Sequence, residues 1–256
     1  MSAPRQTTFT SEEYANAYPE GIERHYWTLA RNYYVARLLR RAPGSGDLVL
    51  DIGCGRGLTV EYLRDHGFDC RGFELSDVAI PAHRQAYCAS SSDAFALREE
   101  LRGRVGAILL LDVLEHLEDP AGFLDQCVTT FPALQSLVVM VPARMELWSN
   151  YDDYYGHKTR FDLPSLHALV AREGLKVAEI GYFFHALYPL LRLLKAFRGR
   201  REVRNAAPRR VFVHRFLARG LVADSFLPSR WYGSSIAAIL HRVPEDRSPG
   251  SRSRCP

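Results

Sequence analysis

The chain of 256 residues lacks the features of a membrane-spanning or secreted protein. Its longest apolar stretch runs from Tyr182 to Leu194 and is interrupted by His185 and Arg192. A spanning helix needs ~20 consecutive apolar residues, so this stretch is too short. The first ten residues hold no apolar run after a basic start, which argues against a secretory signal. We therefore expect a cytoplasmic protein.

Cysteine is also scarce, and its placement argues against disulfides and against a metal centre. The five cysteines are odd in number, and no two have the spacing of zinc ligands; they are Cys54, Cys70, Cys88, Cys127 and Cys255. No two histidines lie at a helical step of four. Because Cys54 lies in a turn with no suitably placed histidine in sequence, we do not expect a catalytic cysteine. The sequence predicts free thiols in a reducing compartment, and no metal.

The composition is that of a globular protein, but its charge is uneven. Hydrophobic residues make up 47% of the chain, which excludes a predominantly disordered protein. The net charge is +4, yet residues 192–219 hold ten basic side chains and one acidic one, Glu202. Such a basic segment can contact nucleic acid, but it matches no DNA- or RNA-binding module, although it contains Phe212 and Phe216. Nucleic acid is therefore the less favoured partner.

Strand-like and helix-like segments alternate along most of the chain. Buried or alternating apolar runs predict strands at residues 48–52, 70–75, 86–89, 105–113, 135–141, 175–184 and 234–241. Apolar periodicity and capping residues predict helices over 21–41, 58–66 and 77–84, from Asp119-Pro120 onward, and after Asp162. The pattern indicates an α/β fold with a mostly parallel sheet and helices on both faces. Ligands of such sheets bind at the carboxyl ends of the strands.

A glycine-rich loop follows the first strand, with the sequence Asp51-Ile52-Gly53-Cys54-Gly55-Arg56-Gly57. Glycines let the backbone turn sharply and approach a ligand, and the next helix directs free amides toward it. The spacing departs from the dinucleotide pattern, because Leu58 stands where the third glycine would be. Asp51 would also repel a pyrophosphate, which disfavours a nicotinamide dinucleotide.

Three carboxylates lie near the ends of the first three strands or just after them, and together they favour a cationic nucleoside. Asp51 suits a ligand that carries an ammonium and a sulfonium group. Glu74 can accept hydrogen bonds from both ribose hydroxyls, and Asp93 can accept one from an adenine amine. S-adenosyl-L-methionine is a molecule with all of these groups.

Four motifs follow one another at suitable spacing, at residues 49–57, 73–76, 92–94 and 111–120, the last with the sequence LDVLEHLEDP. As a set they resemble the class I S-adenosylmethionine-dependent methyltransferases, in particular the ubiquinone-biosynthesis-type branch. The resemblance implies a Rossmann-like, seven-stranded sheet whose last strand is antiparallel. It implies that Gly53 and Gly55 pack under the methionine portion, Glu74 holds the ribose, Asp93 the adenine, and Asp112 contacts the methionine end.

Weaker similarity extends to the flanks. In some relatives, an N-terminal helix folds over the cofactor as a lid, and an arginine at the position of Arg31 pairs with the cofactor carboxylate. The alternative for Arg31 is a solvated side chain on an amphipathic helix. The segment 155–161 resembles a stretch of some bacterial relatives but has Thr159 and Phe161 where they often have Arg and Tyr. The cofactor-binding residues expected in all are Arg31, Asp51, Gly53, Cys54, Gly55, Glu74, Leu75, Asp93, Ala94 and Asp112.

Two histidines are candidates for the chemistry. Methyl transfer needs a general base only if the acceptor must lose a proton. His116 follows the fourth strand near the expected methyl position, although it could simply pack within its turn. His157 follows a Tyr- and Asp-rich loop, 151–155, which could line an acceptor pocket or lie on the surface. Glu115 is better explained as a turn residue and Asp119 as a helix cap.

The chain is divided into five parts on these patterns. Residues 1–45 form a helical cap, 46–184 the S-adenosylmethionine-binding core, 185–230 a partly helical basic insertion, 231–243 the last strand, and 244–256 a disordered tail. Residues 182–198 are apolar first and basic afterwards, as in an interfacial helix. Two interpretations of this segment stay open. It could cover the substrate and contact a membrane peripherally, or it could be a helix packed on the domain with a solvated basic tail.

The predicted function is S-adenosylmethionine-dependent methyl transfer to a small-molecule or lipid-linked acceptor. One alternative is an NAD-dependent oxidoreductase, which Asp51 and the glycine spacing disfavour. The other is a cofactor-binding protein without turnover. The sequence does not indicate an oligomeric state.

Overall fold

The computed structural model describes residues 10–172, 174–198, 203 and 208–243 of the chain. Within them lie the strands β1 Leu48–Ile52, β2 Cys70–Phe73, β3 Cys88–Ala89, β4 Val105–Leu111, β5 Ser136–Pro142, β6 Leu175–Phe183 and β7 Ser235–Arg242. The helices are α1 Ser11–Ala17, α2 Tyr26–Leu39, α3 Leu58–Asp65, α4 Glu99–Arg102, α5 Pro120–Thr130, α6 Asn150–Tyr154, α7 Leu163–Val170, α8 Leu187–Arg198 and α9 Val211–Asp224. Short 3₁₀ turns connect several of these elements.

The seven strands form one sheet in the order β3-β2-β1-β4-β5-β7-β6. Strands β1 to β5 pair in parallel, whereas β7 runs antiparallel to both β5 and β6. The predicted mostly parallel sheet with an antiparallel last strand is confirmed. The strand order reverses between β1 and β4, which are neighbours although β2 and β3 separate them in sequence. A crevice outside the carboxyl ends of such strands is the usual ligand site of an open α/β sheet.

The central strands are buried on both faces, and each face carries its own apolar core. Val49 and Leu109 belong to a cluster that packs against α2, α3 and α9. Leu50 and Leu110 belong to a second cluster that packs against α5 and α7. Successive side chains of a strand point to opposite faces, which explains why β1 and β4 are continuously apolar. The prediction of helices on both faces is confirmed.

Two predicted elements differ from the structure in a way that proline and capping explain. The helix predicted over 77–84 is wrong: only a 3₁₀ turn, Ala82–Arg84, forms there. Pro81 lacks an amide hydrogen and disfavours helical geometry in the residue before it. The helix predicted over 21–41 begins at Tyr26, because the side chain of His25 caps it by accepting from Trp27 N.

Other boundaries move by a few residues. The strand predicted over 105–113 ends at Leu111, because Asp112 has a positive φ of 59° that leaves the extended region. The third strand is reduced to Cys88–Ala89. Asp119 caps α5 through Gly122 N at 2.8 Å and Asp162 caps α7, as predicted.

The parts of the chain outside the core are partly described. Helices α8 and α9 lie within the predicted insertion, and the division into five parts stays a prediction. The four cysteines within the described ranges are free and buried. Cys255, the predicted tail 244–256 and several basic residues of the insertion lie outside the described residues. None of the described helices is long and apolar enough to cross a membrane.

Two glycines with positive φ allow a matched test of packing at the start of the sheet. Gly44 has a φ of 75°, and a Cβ added there would lie 2.2 Å from the Gly106 carbonyl oxygen. Gly67 has a φ of 88°, but a Cβ there meets nothing within 4 Å. We expect Gly67→Ala to lower the unfolding free energy by about 1–3 kcal/mol through backbone strain alone. Gly44→Ala should lower the unfolding free energy by roughly 1–3 kcal/mol more than Gly67→Ala does, because the backbone at Gly106 must move to make room for the Cβ.

Urea unfolding of both variants measures this difference. Equal losses of unfolding free energy in the two variants would show that the close contact between Gly44 and Gly106 leaves room for a Cβ.

Candidate active site

A cleft of about 970 Å³ opens at the carboxyl ends of the central strands. The loop after β1 forms its floor, and residues of α1, α2 and α8 lie along its walls. All twelve predicted site residues line it, although they come from many separate segments: Arg31, Asp51, Gly53, Cys54, Gly55, Glu74, Leu75, Asp93, Ala94, Asp112, His116 and His157. The fold thus brings the predicted residues together, while the role of each stays a prediction.

The glycine loop takes a path at Gly55 that a side chain would block. Gly55 has a φ of 53°, and a Cβ there would lie 2.6 Å from the hydroxyl oxygen of Tyr18. Tyr18 is near α1 and also lines the cleft. The loop therefore brings backbone close to both the N-terminal aromatic residues and the space that a ligand would occupy.

Glu74 is held rigidly at the end of β2. Its Oε2 accepts a hydrogen bond from Gly55 N at 2.9 Å, and its Oε1 accepts one from Ser76 N at 2.9 Å. The side chain is buried, yet Glu74 lines the cleft. Each carboxylate oxygen can accept a second hydrogen bond, so the fixed group is suited to a pair of neighbouring hydroxyls.

Asp51 is a buried carboxylate on the cleft floor. No hydrogen-bond partner for its Oδ1 exists among the described residues. Burial is the main cause that raises the pKa of Asp51 to about 7; Arg31 opposes this rise, while Glu74 and Asp112 add to it. A buried acceptor without a partner is costly, and a cationic donor from a ligand would satisfy it.

Arg31 reaches from α2 into the cleft and pairs with Asp112. The distance from Arg31 Nη2 to Asp112 Oδ2 is 2.6 Å, and Arg31 Nη1 donates to Thr59 Oγ1 at 3.2 Å. Thr59 in turn donates to Asn32 Oδ1 at 2.9 Å. Arg31 is therefore not a freely solvated side chain. Its predicted contact with a cofactor carboxylate stays a prediction, since Asp112 is its partner here.

Asp93 has a local structural task in addition to its place in the cleft. Its Oδ1 accepts from Phe95 N at 2.9 Å and caps the 3₁₀ turn Ala94–Ala96. Leu75 and Ala94 also line the cleft. Because Asp93 Oδ1 already accepts this hydrogen bond, the predicted contact with the adenine amine would use the remaining lone pairs of the Asp93 carboxylate.

A second polar cluster lies where the loop after β5 meets the turn after β4. His157 Nδ1 lies 2.9 Å from Asp152 Oδ1, and Arg160 Nε donates to the same oxygen at 2.7 Å. The rings of His116 and His157 are 4.8 Å apart at their centroids. Burial and the proximity of His157 lower the pKa of His116 to about 4, so its ring is neutral at pH 7.

Reasoning from the sequence missed Glu115 as a cleft residue. Glu115 lies in the 3₁₀ turn Leu114–His116, as expected of a turn residue, but it is fully buried and lines the cleft. Burial and the neighbouring Asp112 raise its pKa well above its usual range. Tyr151 and Tyr155 line the cleft, so the Tyr- and Asp-rich loop is not merely a surface loop. A signal for Glu115 was its place beside His116, directly after a buried strand.

The fold and the cleft together define a Rossmann-like domain with a nucleoside-type ligand site at its topological switch point. The profile of the family described as "Methyltransferase domain" matches residues 26–180, which is more than half of the chain. The chain belongs to this family. The resemblance predicted from the four motifs is thereby confirmed.

Curated relatives match a shorter part of the chain. A Ubiquinone biosynthesis O-methyltransferase of Pseudomonas aeruginosa is 30% identical over 94 residues, which are 34% of this chain and 40% of that protein. A Ubiquinone biosynthesis O-methyltransferase of Ralstonia nicotianae is 31% identical over 97 residues, which are 34% of this chain and 40% of that protein. The chain thus spans less than half the length of the curated relatives it matches.

Solved structures with low sequence identity share the fold. The plantazolicin methyltransferase BpumL, solved in complex with SAH, has a TM-score of 0.51 at 17% identity over 91% of this chain and 88% of its own. A chain of the complex between the Haloferax volcanii Trm112 methyltransferase activator and a methyltransferase has a TM-score of 0.51 at 16% identity, covering 93% and 100%. These similarities support the Rossmann-like architecture.

Proposed function

We propose that this protein is an S-adenosyl-L-methionine-dependent methyltransferase that acts on a hydroxyl of a small-molecule or lipid-linked acceptor. The observation that carries the proposal is the convergence of the glycine loop, Asp51 and Glu74 in one cleft of a methyltransferase-family domain. The names of the curated relatives support oxygen as the methylated atom.

The residues of the cleft fit the cofactor group by group. Glu74 would accept the two ribose hydroxyls, and Asp93 the adenine amine. The unpartnered oxygen of Asp51 would accept a hydrogen bond from the cofactor ammonium. S-adenosyl-L-methionine supplies an activated methyl group on its sulfonium. A pyrophosphate would meet the carboxylate of Asp51 instead, which disfavours the NAD-dependent alternative.

The main catalytic task of the chain is alignment. Holding the donor and acceptor in line can supply ~7–11 kcal/mol of the barrier. Residues of the N-terminal helices and of α8 form walls of the cleft and would limit the access of water. His116 and His157 line the part of the cleft beside Tyr151 and Tyr155, where we place the acceptor hydroxyl.

The wall contributed by α8 favours an apolar acceptor. Four leucines of this helix line the cleft: Leu187, Leu190, Leu191 and Leu194. They come from the predicted insertion, and apolar walls with few polar groups are typical of sites for hydrophobic small molecules. The substrate-cover interpretation of the insertion is therefore the one that we propose.

Calorimetric titration with S-adenosylhomocysteine and with NADH tests the cofactor assignment. We expect binding of S-adenosylhomocysteine and none of NADH. The reverse pattern would favour an oxidoreductase and would contradict the proposal.

Cofactor binding should depend on pH through Asp51. The groups that face it are Arg31, which lowers its pKa, and Glu74 and Asp112, which raise it. Because the pKa of Asp51 is about 7, a neutral carboxyl predominates below that pH and accepts the ligand ammonium poorly. We expect the affinity for S-adenosylhomocysteine to rise between about pH 6 and about pH 8, by up to ~10-fold per pH unit below pH 7.

Calorimetry on the Asp51→Asn variant provides the control for this prediction. The variant should bind more weakly at pH 8 and show a flat profile across the same range. A variant with the pH profile of the wild type would exclude Asp51 as the titrating group.

The exposed face of α8 supports peripheral contact with an anionic membrane. Leu193 and Phe197 are 56% and 80% exposed, and Arg192 and Lys195 lie on the same helix. Apolar residues that enter the acyl boundary together with basic residues at headgroups are typical of interfacial helices. Contact there would bring a lipid-linked acceptor close to the cleft that the same helix lines.

Flotation with phosphatidylglycerol-containing vesicles tests this contact. We expect the double variant Leu193→Ser, Phe197→Ser to lose about 100-fold or more in vesicle affinity, given ~1.5–3 kcal/mol for each of the two buried apolar side chains. Tyr33→Ser, at a 38% exposed position on α2, should bind as the wild type does. Equal binding of all three proteins, or no binding by the wild type, would discard the membrane contact.

A further inference from the structure

Arg144 lies just after β5 and holds its backbone in a strained conformation. Its φ is 71° and its ψ is 102°, and residues other than glycine rarely adopt a positive φ. Its N–H donates to Phe161 O at 2.8 Å, and its carbonyl oxygen accepts from Leu147 N at 2.9 Å. Such strain persists only where the surrounding contacts impose it, which is frequent at ligand-binding sites. The conformation fixes the direction in which the Arg144 side chain leaves the sheet.

The guanidinium of Arg144 lies among aromatic rings instead of against a carboxylate. Its Cζ is 4.1 Å from the ring centroid of Tyr232, 4.5 Å from that of Tyr182 and 5.9 Å from that of Tyr188. An aromatic face attracts a guanidinium through its charge and does not use up its N–H donors. Within the described residues, Arg144 forms no ion pair, and its buried Nε has no hydrogen-bond partner. A buried donor without a partner is costly, so this guanidinium is suited to a ligand that accepts hydrogen bonds.

Two further cations reach the same part of the surface from α8. Tyr188, Arg192 and Lys195 are four and three residues apart, so they lie on one face of this helix. Arg192 Nη1 donates to the hydroxyl oxygen of Tyr188 at 3.2 Å, and Lys195 Nζ donates to Glu146 O at 3.0 Å. Because the ring of Tyr188 also lies beside Arg144, three cationic side chains surround the turn that follows β5.

Two carboxylates lie near these cations, and both already have partners. Glu146 Oε1 accepts from the Tyr188 hydroxyl at 3.0 Å, and Asp162 caps α7 through its Oδ1. Burial acts in the opposite sense, yet hydrogen bonds together with the charges of Arg144 and Arg192 hold the pKa of Glu146 below its usual range. The three cations outnumber the two carboxylates, so the cluster keeps an excess of positive charge and of donors.

We propose that Arg144, Arg192 and Lys195 form a binding site for a phosphate group beside the cleft. A phosphate group presents several charged acceptor oxygens in different directions, which suits donors that approach from more than one side. A carboxylate presents its oxygens in one plane, which suits a single guanidinium fork. Tyr232 is 59% exposed, and Arg192 and Lys195 are exposed as well, so a ligand can enter from solvent.

This phosphate can come from a lipid headgroup or from a soluble phosphorylated molecule. Leu193 and Phe197 are exposed on a different face of α8 from Arg192 and Lys195. Apolar residues that enter the acyl boundary would place a headgroup at these cations. A soluble phosphorylated molecule would be held beside the same helix, whose leucines line the cleft. Neither source requires methyl transfer, so the site can be tested independently of the proposed function.

Isothermal calorimetry with inorganic phosphate tests the site in the full-length protein, without lipid or methyl acceptor. We expect saturable binding in the millimolar range at low ionic strength, weakened by added salt. Arg144→Gln, and the double variant Arg192→Gln, Lys195→Gln, should each lose about 10-fold or more in affinity, because each lacks charge-assisted hydrogen bonds. Arg98→Gln, at an exposed position before α4, should bind as the wild type does.

The same variants guard against a loss of folding. Arg192 and Lys195 are exposed, so their double variant should keep the circular-dichroism spectrum of the wild type. Arg144→Lys keeps the positive charge but lacks the planar fork, and it should bind phosphate with intermediate affinity. Titration with S-adenosylhomocysteine should give the wild-type affinity in every variant, so failure of this site and failure of the proposed function are separate results.

Flotation with phosphatidylglycerol vesicles distinguishes the two sources. Release of the protein by inorganic phosphate at constant ionic strength, together with weaker vesicle binding by Arg144→Gln, would assign the site to a headgroup. Vesicle binding that is absent, or equal in Arg144→Gln and the wild type, would assign it to a soluble phosphate. Absence of saturable phosphate binding by the wild type, or equal phosphate binding by the wild type, Arg144→Gln and the double variant, would overturn the proposal.

Discussion

Replacing Glu74 by glutamine is expected to weaken the binding of S-adenosylhomocysteine by ~100-fold or more. The carboxylate is fixed by Gly55 N and Ser76 N, each at 2.9 Å, and so it is ready to accept two ribose hydroxyls. Hydrogen bonds to a charged acceptor contribute about 1.5–3 kcal/mol each, and 1.4 kcal/mol is a factor of ten in affinity. The glutamine amide also places an N–H group beside the N–H donors of Gly55 and Ser76, which weakens the hydrogen bonds that hold this side chain in place for the cofactor.

Isothermal calorimetry measures this effect. Glu100→Gln is the matched control, because Glu100 is exposed on α4 and does not line the cleft. The control should bind as the wild type does, and both variants should unfold at similar temperatures. A Glu74→Gln protein that binds within threefold of the wild type (roughly 0.7 kcal/mol) would remove Glu74 from the cofactor site.

Replacing Asp152 by alanine is expected to lower the unfolding free energy by about 3–5 kcal/mol. Asp152 is fully buried and accepts from Arg160 Nε at 2.7 Å, with His157 Nδ1 at 2.9 Å from the same oxygen. It also accepts from Ser149 N at 2.8 Å at the start of α6. Its removal leaves the buried guanidinium of Arg160 without its carboxylate, which is the costly way to break a buried ion pair.

The neighbouring aspartate provides the control. Asp153 is exposed and accepts from Trp148 Nε1 at 2.8 Å, so Asp153→Ala should cost only about 0.5–1.5 kcal/mol. Urea unfolding of the two variants, with equal slopes, gives the comparison. Similar losses of unfolding free energy in the two variants would mean that the contacts of Asp152 with His157 and Arg160 do not stabilise the loop after β5.

Most of the sheet could be predicted from the sequence because the signals are local. The apolar runs of β1 and β4, the glycine loop after Ile52 and the caps Asp119 and Asp162 each act within a few residues. The helix expected over 77–84 could not be predicted correctly by periodicity, since Pro81 and packing against the core decide that segment.

That the residues expected to bind the cofactor would meet in one cleft was predictable for a topological reason. Asp51 lies near the end of β1, and Glu74 and Asp93 follow β2 and β3. The carboxyl ends of parallel strands meet at one edge of the sheet. The cluster of Asp152, His157 and Arg160 with Glu115 was not predictable in this way. Its members meet only because the loop after β5 folds back onto the turn after β4, where Lys158 N donates to Glu115 O at 2.7 Å.

Transfer of a labelled methyl group is the most direct test of the central claim. The purified protein is incubated with methyl-labelled S-adenosylmethionine and lysate from its source, and the products are separated into organic, aqueous and macromolecular fractions. Glu74→Gln serves as the control. We predict label in the organic fraction with the wild type and none with the variant. Absence of label from every fraction, with S-adenosylhomocysteine shown to bind, would contradict the claim and favour a cofactor-binding protein without turnover.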